Sequence, residues 1–272
     1  LTYIGVFHRL KELIQTRGAS FFKREQLSFA GVWVMFIIIS LSKFKLPHYV
    51  NVLFPVFAVF TAGFLFQLYN EHRDKLLKAL TKLQWFIVAV LLLLLVALNV
   101  WAFPAHFILL LIAAAGIGYI FYIAVKPKGD LLFRSWYPSA IAALLLNILL
   151  NANFYPRSQL YQGGMMVAKQ MHNDGIDWSN VYNYKLITRW FDFYSRHWQP
   201  VVDDNGIREL QRLGKPVYLY VSDYLKTELD KSFSTRIIYQ RPDFEVAGLT
   251  TKFINPKTRP SVTSVVYLVQ VL

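Results

Sequence analysis

The sequence predicts a membrane-embedded all-α helical region followed by a small α/β domain. Three observations carry that expectation. The 272 residues are 55% hydrophobic and 17% aromatic, and the long apolar runs fall within residues 1–154. The charged residues of that region collect in the segments between the runs. From residue 155 onward the hydrophobic period alternates between strand-like and helix-like stretches. The formal charge of +13 would suggest nucleic acid in a chain without apolar spans. Here loop charge beside membrane spans accounts for it, and no nucleic-acid partner is expected. The chain has no cysteine, so no disulfide constrains either region and the redox compartment is unreadable. It begins at Leu1 with no signal peptide in front; the expectation is a C-terminal part of a longer protein.

The elements follow in order. Within residues 8–25, Leu10, Leu13 and Ile14 share a helical face, which predicts a short amphipathic surface helix. Five spans are predicted, at about 26–41, 50–69, 83–103, 107–125 and 135–154. The first is near the lower length limit for crossing hydrocarbon. The second carries Pro55 inside it, which membrane helices tolerate. Residues 70–82 read as a charged loop. Ala113–Ala115, Gly116 and Gly118 permit close helix packing in the fourth span. In the fifth, Asn147 and Asn151 are spaced to share a face, which is expected to point at other helices.

Loops 8–25, 70–82 and 126–134 together hold twelve Lys and Arg, against two in loops 42–49 and 104–106. That asymmetry places the basic loops in the cytoplasm and residues 155–272 outside. The outer domain is expected to contain helices at 159–172, 205–213 and 224–231. Its strands are expected at 181–185, 216–221, 236–240 and 262–272, the last nearly continuous in apolar residues and so interior to the sheet.

The segment Ser42-Lys43-Phe44-Lys45-Leu46-Pro47-His48-Tyr49 stands out. It puts two lysines on the side that the charge count makes outer, and no carboxylate lies between Gln26 and Asn70 to neutralise them. Such lysines either snorkel to water at a helix end or meet an anion, for which a lipid phosphate is the nearest source. On the second reading Lys43 and Lys45, with His48 and Tyr49, hold a phosphate at the outer leaflet, and Pro47 sets the loop's direction.

The stretch SLSKFKLPHYVNVLFPVFAVFTA resembles a segment of the GT-C membrane glycosyltransferases related to aminoarabinose transferase and the protein O-mannosyltransferases. In those, a Ser-x-x-Lys-x-Lys-Leu-Pro-x-Tyr pattern leads into a membrane helix carrying a proline. Ser40, Lys43, Lys45, Leu46, Pro47, Tyr49 and Pro55 fit it; His48 matches no family position. The resemblance covers residues 40–62, and beyond them only the layout agrees. It implies a GT-C-like fold in a bacterial plasma membrane. It also implies transfer of a sugar from a polyprenyl phosphate carrier to a lipid or protein acceptor on the outer face.

Inverting transfer to a hydroxyl needs a base near the acceptor and cations near the departing phosphate. The acids of residues 1–154 are Glu12, Glu25, Glu71, Asp74 and Asp130, all on the expected cytoplasmic side. No catalytic residue is therefore assigned within this sequence. The resemblance implies a catalytic aspartate in an outer loop upstream of Leu1.

Other motifs are weaker. His106 is a lone histidine at a membrane rim. His172 with Asp174 and Asp177 lacks a second ligand pair, and no metal site or cofactor is assigned. Gly163-Gly164 is not a nucleotide-binding glycine motif. Asp203-Asp204-Asn205-Gly206 reads as a turn and helix cap. Trp190, Phe191, Phe193, Tyr194 and Trp198 form an aromatic cluster, read as packing or as a sugar platform. A membrane-anchored binding or scaffold protein, with the α/β domain as its ligand module, is the alternative to the transferase. A transporter is disfavoured, because the spans contain no Asp, Glu, Lys, Arg or His.

Overall fold

A computed structural model describes residues 1–16, 27–41, 51, 53–126 and 130–272. Three helical stretches among these are long and apolar enough to cross a membrane: Asp74–Ala102, Phe107–Val125 and Leu131–Gln159. Phe29–Leu41 and Phe54–Asn70 are shorter apolar helices. Of the five expected spans, three thus have full spanning length. The chain divides into two compact units, residues 1–91 with 116–144 and residues 92–115 with 145–272.

In the first unit α1 (Thr2–Gln15), α2 (Leu27–Leu41) and α3 (Phe54–Asn70) pack as neighbours. The surface helix expected within 8–25 starts earlier, at Thr2. Its buried positions are Gly5 and Arg9, whereas Ile14 is exposed. Gly5 is small because a Cβ there would stand 3.0 Å from the Phe60 ring. Arg9 is paired with Glu12 at 3.1 Å, which keeps a buried cation neutralised. Pro55 lies in the first turn of α3 rather than inside it. There its missing N–H costs nothing, since first-turn N–H groups have no helical partner.

The expected charged loop 70–82 is mostly helix: α4 begins at Asp74 and runs to Val96. Leu77 and Leu80 are buried against Phe64, Leu65 and Leu68. That helical period outweighs the polarity of the intervening lysines, whose stems leave the charges in water.

In the second unit α4 continues through a π-helical turn, Ala97–Ala102. After α5 (Phe107–Val125), α6 (Leu131–Leu149) likewise passes through a π turn, Leu150–Phe154, into α7 (Tyr155–Gln159). The two π turns meet through asparagines. Asn153 Nδ2 donates to Asn99 Oδ1 at 3.1 Å and to the Phe103 carbonyl at 2.7 Å, and Arg157 Nε donates to Asn153 Oδ1 at 3.0 Å. This corrects the expectation for Asn147 and Asn151, which among the described residues are exposed and bond along their own helix. A π turn rotates the face by one residue's worth of register, so Asn153 takes the inward position.

The α/β domain is a five-stranded sheet ordered β2-β1-β3-β5-β4. Its strands are β1 (Val181–Tyr184), β2 (Val201–Val202), β3 (Val217–Ser222), β4 (Thr235–Asp243) and β5 (Ser264–Val271). β1 pairs in parallel with β2 and β3, and β5 runs antiparallel between β3 and β4. β5 is thus interior, as its apolar run predicts.

Alternate residues serve opposite faces. Tyr184, Leu219, Val221 and Val269 pack with Ile207 and Leu229, which belong to α10 (Asp204–Arg212) and α11 (Asp223–Leu229). Val181, Tyr220, Val266 and Leu268 pack with Val167, Met171 and Phe191, which belong to α8 (Gly163–Asn173) and α9 (Arg189–Ser195). β2 has two residues and β4 carries Arg236 and Arg241, both ways of blunting a sheet edge.

The loop around Arg259 joins this domain to the helix ends. Arg259 Nη2 donates to the carbonyls of Ala102 at 2.8 Å and Ile254 at 3.1 Å, and Nε to that of Phe253 at 2.8 Å. The guanidinium lies 3.9 Å from the Phe103 ring centre. Arg259→Ala strands these carbonyls and loses the stack, an expected cost of about 3 kcal/mol. Arg259→Lys should recover less than half of it, because an ammonium cannot reproduce the planar fork. Thermal unfolding of the detergent-solubilised protein measures both.

Candidate functional site

Lys43, Lys45, His48 and Tyr49 all lie outside the described residues. The segment that holds them leads into α3, whose geometry is described. Phe57, Ala58, Thr61, Ala62, Leu65 and Phe66 form one face of α3 and line an apolar groove of about 800 Å³. Ala58, Ala62 and Gly63 leave the room, and Trp136 of α6 and Gln84 of α4 complete the wall. A groove of this size and polarity suits a hydrocarbon chain.

The remaining motifs resolve into structural roles. The His106 carbonyl accepts from Leu109 and Leu110 at the start of α5, and its imidazole is exposed. Asp174 accepts from the Tyr239 hydroxyl. Asp177 accepts from Ser179 N at 3.0 Å and Ser179 Oγ at 2.7 Å, closing a turn. Among the described residues no group of three or more His, Cys, Asp or Glu is placed to hold a metal ion. Asp203 caps α10 by accepting from Gly206 N at 2.9 Å. The aromatic cluster separates: Phe191 is fully buried and stacks on Tyr220 at 4.2 Å, whereas Trp190, Phe193 and Trp198 are exposed.

Two clusters escape sequence reasoning, because each joins residues distant along the chain. The first lies at the carboxyl end of β1, beside the point where strand order reverses. Lys185 Nζ stands 2.8 Å from Glu228 and 3.0 Å from Asp204, and Tyr184 donates to Asp204 at 2.6 Å. Hydrogen bonds to Glu228, Asp204 and Tyr184 push the Lys185 ammonium well above its ordinary value. Its donors are spent internally, which makes the cluster a clasp between β1, α10 and α11.

The second cluster lies where α8 begins. Asp243, at the end of β4, accepts from Gly163 N at 2.8 Å and so caps α8 from a distant strand. The approach is close: a Cβ on Gly163 would sit 2.4 Å from Val266 Cγ2. A cleft of about 290 Å³ opens beside this cap, with Gln162, Gly164, Trp190, Asp243 and Glu245 among its walls. Burial pushes the Asp243 carboxyl above its ordinary value, partly offset by the Gly163 N–H.

With the geometry in place, the chain can be set beside known proteins. No family model matches it, and no curated protein matches it. Its apolar helices and small mixed sheet have counterparts among solved structures. Two crystal structures of ArnT from Cupriavidus metallidurans share that fold. The apo structure is 14% identical with a TM-score of 0.51, over 88% of this chain and 45% of that one. The structure bound to undecaprenyl phosphate is 15% identical with a TM-score of 0.54, over 98% of this chain and 49% of that one. At such identity the likeness is one of fold, and this chain spans about half the length of the ArnT structures.

Two outcomes test the cap. Gly163→Ala is expected to cost about 1–3 kcal/mol through overpacking. Val266→Ala in the same chain should relieve part of that, so the two unfolding shifts will not add. A carboxyl held above its ordinary value is bound to its proton more tightly when folded. Its ionised form therefore costs stability as pH rises from about 4 through the raised value. Asp243→Asn removes that loss while keeping an acceptor for Gly163. Its melting temperature relative to the parent should therefore climb between about pH 4 and pH 7.

Proposed function

We propose that this chain is part of a glycosyltransferase that moves a sugar from a polyprenyl phosphate carrier to a lipid or protein acceptor at the outer face of a bacterial plasma membrane. The observation that carries the reading is the fold shared, over 98% of this chain, with a GT-C enzyme whose structure was solved with undecaprenyl phosphate bound. The Ser-x-x-Lys-x-Lys-Leu-Pro-x-Tyr segment and the apolar groove on α3 support it.

In the proposed reaction the bond between the sugar's anomeric carbon and the carrier phosphate breaks, and the acceptor oxygen bonds to that carbon. The acceptor's proton passes to a base, and the carrier phosphate departs as an anion. Lys43 and Lys45, with Tyr49 and His48, would hold that phosphate, and their charge counts most as negative charge accumulates on the leaving oxygen. The prenyl chain would lie along Phe57, Ala58, Leu65 and Phe66. The base is not assigned within this sequence, nor is a cofactor. On this reading residues 155–272 face outward, as the basic loops imply.

Undecaprenyl phosphate binding to the whole protein in vesicles tests the reading. Lys43→Ala with Lys45→Ala should weaken it by about tenfold or more, roughly the loss of one to two charge-assisted contacts. Lys75→Ala, on the opposite predicted side, should leave it unchanged. Equal affinity in the double variant and the parent would remove the donor-site assignment.

A further inference from the structure

We propose that the cleft beside the α8 cap in the α/β domain binds an unphosphorylated sugar. Two groups that line it, Asp243 and Trp190, are incompletely used by the fold, and a third, Tyr220, lies behind its Gly164 wall. Asp243 Oδ1 accepts from Gly163, but the carboxylate takes no other hydrogen bond among the described residues. The Tyr220 side chain is 3% exposed, yet its hydroxyl makes no hydrogen bond among the described residues. That hydroxyl stands 3.3 Å from where a Cβ on Gly164 would sit, and Gly164 is part of the cleft wall. Trp190 lines the cleft while leaving 61% of its surface exposed.

Acceptor capacity left open on a half-buried cleft wall is available to a ligand's hydroxyl or to water. The valence on the cleft wall is an acceptor at Asp243. Glu245 adds an exposed acceptor at the rim. The indole adds a flat apolar face. A pyranose offers the complement: hydroxyls along its edge and a C–H face that packs on an aromatic ring.

The charge of the wall narrows the ligand further. Among the described side chains two carboxylates line the cleft and no lysine or arginine does. A phosphorylated or carboxylated sugar would meet repulsion in a half-desolvated site. A neutral sugar fits, and an amino sugar gains an ion pair. The cleft's volume of about 290 Å³ matches one or two sugar rings and is at the small end for ligand sites. Gly164 lets α8 approach α9 closely at the cleft wall, since a Cβ there would stand 3.2 Å from the Phe191 backbone nitrogen and 3.3 Å from the Tyr220 hydroxyl. The inference uses only the cleft's own groups and needs no turnover, so its test is separate from that of the transferase.

Saturation-transfer NMR on the whole detergent-solubilised protein, with methyl α-glucopyranoside, glucosamine and glucose 1-phosphate as probes, decides the matter. The first two should bind, glucosamine at least as tightly as the glucoside, and glucose 1-phosphate about tenfold more weakly. Trp190→Ala should lower affinity for the first two about tenfold, while Trp190→Phe retains most of it. Trp190 is exposed, so its replacement leaves the fold intact. Asp243→Asn should abolish the preference for glucosamine. Absence of binding by both unphosphorylated probes would overturn the proposal. So would unchanged affinity in Trp190→Ala, or equal binding of glucose 1-phosphate.

Discussion

The second unit depends on how the carbonyl groups at the end of a long apolar helix are satisfied. A helix leaves its last carbonyls without helical partners, and near hydrocarbon no water is reliably present to take their place. Here each is met. Phe103 N donates to Leu98 at 2.9 Å and Ala105 N to Asn99 at 2.7 Å. Arg259 donates to Ala102 and Asn153 to Phe103. The last two donors come from 157 and 50 residues further along the chain. The same guanidinium packs on Phe103, which in turn packs on Phe154 and Phe253. One cation thereby serves as hydrogen-bond donor to the helix end and as a lid on its aromatic cluster. The two π turns belong to this arrangement, because they bring Asn99 and Asn153 to face each other.

The sheet domain shows a different economy. Its core is built from strict alternation, with Tyr220 and Leu268 on one face and Leu219 and Val269 on the other. Charged groups near it are mostly spent on closing connections: Lys185 on Glu228 and Asp204, Asp177 on its own turn, Asp203 on α10. Asp243 is the exception. It caps α8 with one oxygen and keeps the rest of its capacity beside Trp190 and a cleft. A group that does structural work with half its valence and leaves the other half open is the kind of residue through which a fold acquires a site.

For the chemistry, the division of labour follows from charge. On the proposed reading, phosphate departure needs cations, and Lys43 and Lys45 in the segment before α3 are the proposed source. The apolar face of α3 supplies a surface for hydrocarbon. Acceptor deprotonation needs a base, and none is assigned in this sequence. The proposed sugar cleft adds recognition in the α/β domain by carboxylates and an indole, groups suited to hydroxyls and amines but not to anions.

Several features were legible in the sequence because they depend on neighbours along the chain. Hydropathy located the apolar helices, the hydrophobic pattern located four of the five strands but not the two-residue β2, and the nearly continuous apolar run at 262–272 marked an interior strand. Asp203 was readable as a cap because its partner, Gly206, is three residues away. The polar stretch 74–82 was misread as loop, since charge was weighed above the spacing of Leu77 and Leu80. Composition and local period therefore determined by themselves which segments are apolar, where most of the strands fall, and where two lysines stand in sequence far from any carboxylate. Tertiary structure alone decided that Asn153 rather than Asn147 faces inward, that Arg259 closes a helix 157 residues before it, and that Asp243 meets Gly163 across 80 residues. Those pairings are set by helix phase and strand register, which accumulate over whole elements and leave no mark on the residues nearby.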